Sequence, residues 1–136
     1  MSRFPTHGSV ELDVVDNILL VEGHGPWNLE SVMESETHME PILKQLSGSR
    51  WGALVVLHGD PIYVPDAAAF LSKVIQAQKA LGRVATAMVV EQSNTPAFSK
   101  RHLAQVFDDA GENYRFFPDK KQAKWWLIQQ IMKISD

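Results

Sequence analysis

Residues 53–57 of this chain, Ala53-Leu54-Val55-Val56-Leu57, form an unbroken apolar run. An unbroken run of this kind, with β-branched residues at its centre, is the pattern of a strand covered on both faces. His58-Gly59-Asp60-Pro61 ends it with a polar side chain, a flexible residue and two turn formers. Pro65 then suits the first position of a helix, with Asp66 favourable to the helix dipole beside it. A strand buried on both faces needs neighbouring strands and a helical layer on each side, so the remaining segments must supply them.

They do so in alternation. Val10, Leu12 and Val14 fall on one face of an amino-terminal strand, with Glu11 and Asp13 on the other. Asp16-Asn17 is a tight-turn pair leading into a second strand over residues 18–22, which predicts a hairpin. Gly23-His24-Gly25-Pro26 breaks the pattern, and Asn28 is a candidate cap for a helix carrying Leu29, Val32, Met33, Met39, Ile42, Leu43 and Leu46 on one stripe. Pro41 lies inside that helix and predicts a kink or restart near residues 39–41. Gly48 is a suitable stop.

After the central strand, a helix with a stripe of Ala67, Phe70, Leu71, Val74, Ile75, Ala77 and Leu81 ends at Gly82. Residues 84–90 form a further apolar strand. Thr95-Pro96 opens a helix placing Phe98, Leu103, Val106 and Phe107 inward. A short strand over residues 114–117 follows, and Asp119 with Gln122 makes a capping-box start to a last helix with Ala123, Trp126, Leu127, Gln130 or Ile131, and Ile134 inward. The expected order is β-β-α-β-α-β-α-β-α, an α/β sandwich on a mixed five-stranded sheet with an antiparallel hairpin at its edge.

At 136 residues the chain is expected to form one domain over residues 1–136. Thirteen basic and sixteen acidic residues leave a net charge of -3, which gives no reason to expect a nucleic-acid binder. Lys120, Lys121 and Lys124 beside Trp125 and Trp126 read as a solvated helix face. The absence of cysteine excludes disulfides and thiolate metal sites. Residues 1–8 contain no apolar signal segment, and no stretch approaches the roughly 20 apolar residues of a membrane span. The expected location is therefore the cytoplasm.

The hairpin, the Trp27-Asn28 helix entry after Gly25-Pro26, the Trp51 strand, the Pro65-Asp66 helix start, the Ala87-Met88-Val89 strand and the Ala123-Lys124-Trp125-Trp126-Leu127 ending occur in an order that resembles the SpoIIAA-like fold group. That group includes STAS domains, among them bacterial anti-sigma-factor antagonists, and the lipid-binding CRAL-TRIO domains. The chain most resembles the bacterial branch described as STAS-like or SpoIIAA-like. The resemblance implies the fold and a regulatory or interaction role. It does not extend to a phosphorylation switch, because anti-sigma antagonists carry a phosphorylatable serine where residues 58–67 here contain neither serine nor threonine. Ser72, further along, is expected to face solvent.

Parallel α/β sheets bind ligands beyond the carboxyl ends of their strands. His58, Asp60 and Tyr63, then Glu91, Ser93 and Asn94, belong to that edge, and His24 and Trp27 are expected to reach it from the hairpin. The first expectation is a non-catalytic interaction module using His24, Trp27, His58, Asp60, Tyr63, Glu91 and Asn94 to bind a protein partner, with no cofactor and no metal. The first alternative is a carrier of a small apolar or lipid-like ligand, although Phe70, Met88, Phe98, Phe107, Phe116, Phe117 and Trp126 are expected to fill a core rather than line a pocket. The second alternative is an enzyme using His58 and Glu91 as acid and base. It lacks metal-ligand spacing, phosphate loops and a nucleophile elbow. His38 and His102 are expected at the surface. Trp125 and Trp126 diverge by about 100° on a helix, so one indole must face outward; Trp125 is the candidate for self-association as a homodimer.

Overall fold

The computed structural model describes residues 9–24, 27–61 and 63–133, apart from the side chains of Ser9 and Ser31. The Gly25-Pro26 turn, Ile62, the inward placement expected of Ile134 and the leader reading of residues 1–8 lie outside the described residues.

β1 (Ser9–Val15) and β2 (Ile18–His24) form the hairpin, closed by Asp16-Asn17 with Asp16 at φ 55°. α1 (Leu29–Leu46), β3 (Trp51–His58), α2 (Pro65–Lys79), β4 (Arg83–Glu91), α3 (Pro96–Ala110), β5 (Tyr114–Phe116) and α4 (Lys120–Met132) follow in the expected order. The sheet runs β1-β2-β3-β4-β5, with β1 antiparallel to β2 and all other neighbours parallel. The apolar central run occupies β3, in the middle of that order.

Two layers cover the sheet unequally. Among the described residues α4 is the one helix on one face, where Ala123 and Leu127 meet Ile18, Leu54, Val56, Ala85, Ala87 and Val89. Gly52 lies directly under this helix; a Cβ there would stand 2.5 Å from Leu127 Cδ1. On the opposite face α2 and α3 cover Leu57 and Met88, while Leu43 and Leu46 of α1 pack on Leu19 and Trp51. Asp119 caps α4 by accepting from Gln122 N at 2.8 Å.

Several local expectations are corrected. α1 continues through Pro41 without a restart. Pro41 and Thr37, whose carbonyl loses its helical donor, are both exposed, so solvent can satisfy that oxygen. Phe98 is exposed, because the inward series of α3 is Ser99, Leu103, Val106, Phe107 and Ala110, one residue out of phase with it. Met33 is displaced outward beside buried Val32, Ala77 lies beside buried Gln78, and Leu81 falls beyond the end of α2. Ser72 does not simply face solvent: its hydroxyl donates to Val106 O at 2.7 Å and ties α2 to α3.

Candidate functional site

The candidate residues divide into three places. Strand alternation and the β2–β3–β4 register put Glu22, His24, His58 and Glu91 on the face that carries α4, at the carboxyl ends of adjacent strands. His58 Nε2 faces Glu22 Oε2 at 2.6 Å, and its Nδ1 lies 3.7 Å from Glu91 Oε1. The His24 ring stacks on His58 with centroids 4.3 Å apart. The hydrogen bond from His58 holds the Glu22 carboxyl below its ordinary value, assisted by Lys120, whose Nζ is 4.0 Å away at the start of α4. At 3.7 Å His58 and Glu91 are not hydrogen-bonded, and the imidazole is held from its other edge by Glu22. Among the described residues no group of three or more histidines and carboxylates converges as a metal ion would require. Here the two carboxylates flank opposite edges of one ring.

Asp60 and Asn94 form the second place. Asp60 Oδ1 accepts from the hydroxyls of Ser93 and Thr95 and from the backbone N–H groups of Asn94 at 2.9 Å and Thr95 at 3.2 Å. These bonds depress the Asp60 carboxyl, led by the Ser93 hydroxyl. Thr95 makes no side-chain cap of its own at the start of α3; Asp60, reaching across from the loop after β3, takes up that amide.

The third place is on the opposite face of the sheet. Trp27 and Tyr63 pack with ring centroids 5.5 Å apart, and Tyr63 N donates to His102 Nε2 at 2.9 Å. His102 is thus a half-buried structural acceptor, not a surface group, and burial lowers its pKa, consistent with a neutral ring. Burial likewise raises the Tyr63 phenol. Trp27 lies close over Gly23, where a Cβ would be 2.9 Å from the indole.

Trp27 and Tyr63 border a partly open cavity of about 500 Å³ between α1, α2, α3 and the sheet. Its walls include Val21, Val55, Leu71, Ile75, Met88 and Phe107. Val21 and Val55, on strands β2 and β3 inside the sheet, are only half-buried because they face this space. Of the apolar residues expected to fill a core, Met88 and Phe107 line the cavity; Phe117 and Trp126 instead pack together on the α4 side. His38 also borders the cavity.

At the end marked by the start of β4 the wall becomes polar. Arg83 Nε donates to Glu112 Oε2 at 2.8 Å, Nη1 to Gln78 Oε1 at 2.6 Å and Nη2 to Thr86 Oγ1 at 2.6 Å. Lys79 Nζ is 3.3 Å from Glu112 Oε1, and Arg83 stacks over Trp51 at 5.9 Å. Glu36 of α1 stands opposite Gln78, and burial raises its carboxyl above the ordinary value despite the Arg83 charge. Sequence reasoning missed Gln78, Arg83, Glu112, Glu36 and Glu22. Thr86 inside an otherwise apolar strand, with Arg83 at its start, was the available signal.

This sheet order, with one edge hairpin and helices on both faces, is the SpoIIAA-like fold. Among solved structures, a protein of the DUF3478 family from Shewanella loihica PV-4, described as uncharacterised and as having a SpoIIAA-like fold, is similar with a TM-score of 0.61 and 20% identity over 93% of this chain and 98% of that one. The expected resemblance holds at the level of the fold. No family model and no curated protein matches the chain.

Proposed function

We propose that this chain is a non-catalytic SpoIIAA-like module that holds a small apolar ligand between the sheet and α1–α2. The carrying observation is the cavity of about 500 Å³ that leaves Val21 and Val55 half-buried on strands inside the sheet. Its size lies within the usual range for small-molecule sites, and its wall is mainly aliphatic and aromatic. The resemblance to CRAL-TRIO domains points in the same direction. Recognition through the rim has less support, since Asp60 is occupied in bracing α3 and Tyr63 packs inward against Trp27. Native mass spectrometry of freshly purified protein tests the reading. A retained, solvent-extractable adduct is the expected result; a bare chain that also takes up no added apolar compound contradicts it.

A second reading, compatible with the first, is self-association through α4. Trp125 and Met132 are 65% and 74% exposed. They stand seven residues apart, two turns along one side of the helix. Large exposed apolar groups in such a row favour a contact with a second copy.

A further inference from the structure

The polar end of the cavity carries information about the ligand beyond its apolar body. Gln78 is 2% exposed, yet its amide nitrogen is weakly held: its bond to Glu36 Oε2 is long at 3.4 Å, and its other partner, Met39 Sδ at 3.3 Å, is a poor acceptor. Ordinary N–H···O bonds are shorter, and buried donors are normally satisfied. The amide oxygen is already engaged by Arg83, which fixes the amide with its nitrogen toward Glu36. Gln78, Glu36 and Arg83 all line the cavity. A weakly bonded donor and a half-buried carboxylate acceptor therefore stand side by side at one end of an apolar space.

The charges around this end decide what fits between them. Arg83 and Lys79 face Glu112 and Glu36, and Glu40 brings a further negative charge near Glu36. An anionic head would add a negative charge beside Glu36, and an ammonium head has no lone pair with which to accept from Gln78. Both are costly in a partly desolvated site. An uncharged head able to accept from Gln78 Nε2 and donate to Glu36 meets both needs, and a hydroxyl does both with one atom.

We propose that the cavity selects an uncharged, single-headed amphiphile, an aliphatic alcohol in chemical class, with its hydroxyl beside the Gln78–Glu36 pair and within reach of both. This rests on the apolar-ligand reading above and adds the head group. The hydroxyl gives Gln78 a stronger acceptor than the Met39 sulfur, while the chain lies along Val55, Leu71 and Ile75 toward Trp27.

Displacement of the fluorescent probe N-phenyl-1-naphthylamine by octanol, octanoate, octylamine and octane, at mildly alkaline pH, tests the proposal. Octanol is expected to displace the probe at about tenfold lower concentration than octane or either charged analogue, the scale of one satisfied hydrogen-bonding group. Glu36→Gln removes one negative charge from these surroundings, so octanoate is expected to gain on octanol by severalfold. Failure of the wild-type protein to bind the probe overturns the cavity reading itself. Probe binding with octanol no better than octane, with octanoate preferred in the wild type, or with an unchanged octanoate-to-octanol ratio in Glu36→Gln overturns the head-group proposal alone.

Discussion

Glu36 occupies a position where its charge is a burden. Burial raises its carboxyl above the ordinary value, Arg83 offsets part of the rise, and Glu40 on the same helix adds to it. A raised native value means that the folded state binds more protons than the unfolded state within the window above about 4.5, the ordinary carboxyl value. Stability therefore falls as pH rises through that window, and the loss persists above it. Glu36→Gln is expected to remove this fall, leaving the variant more stable than the wild type at neutral pH and nearly equal to it below the window. Urea denaturation at a series of pH values measures the difference; a variant less stable at neutral pH would contradict the account. Glu22 has the opposite sign. Its carboxyl is held low by His58, so the stability it contributes is present above its unfolded value and lost as pH falls through the native one.

At the scale of elements, the buried network joins α2, the start of β4 and the segment after α3. Arg83 and Glu112 are both buried, and neither charge has solvent to fall back on. Removing one partner of such a pair commonly costs about 3–5 kcal/mol. Glu112→Gln is accordingly expected to lower unfolding stability on that scale, and a loss below about 1 kcal/mol would show that the pair is not holding these elements together. The elements themselves were legible from hydrophobic period and punctuation: Asp16-Asn17, Pro65, Pro96 and the Asp119 cap all serve the roles their residue types suit. Helix phase was less legible, because aliphatic residues lie on more than one side of α2 and α3; Phe98 and Ala77 fall one residue out of the buried series. The polar network was illegible for a different reason. Gln78, Arg83 and Glu112 meet through tertiary packing, and no spacing in the chain encodes a contact between the end of one helix and the loop after another.

At the scale of the whole molecule, the two faces of the sheet have different character. The α4 face carries an aliphatic core, an open groove along Leu20, Glu22, Leu54, Val56 and Lys120, and a rim of His24, His58 and Glu91, whereas the α1–α3 face holds the mainly apolar cavity. The candidate residues expected along one edge are divided between these faces because successive side chains alternate across a strand. Trp27 and Tyr63 belong to the cavity, while His58 and Glu91 belong to the rim. Outside both, Trp125 and Met132 stand exposed on α4 among lysines and glutamines. Sedimentation equilibrium is expected to give a mass that rises with protein concentration. Trp125→Ala should flatten that dependence while changing stability by no more than about 0.5 kcal/mol, as for an exposed site. A wild-type mass that stays monomeric at all concentrations would remove self-association.

The most direct measurement of the central claim compares wild type with Val55→Phe for saturable binding of N-phenyl-1-naphthylamine, alongside unfolding stability. Val55 faces the cavity from the central strand, so a phenyl ring there would occupy the ligand's space. The account predicts probe binding in the wild type, its loss in Val55→Phe, and a variant whose stability is unchanged or raised by about 0.5–2 kcal/mol, as cavity filling commonly gives. Equal binding by both proteins, no saturable binding by the wild type, or destabilisation by the roughly 1–3 kcal/mol typical of overpacking would contradict it.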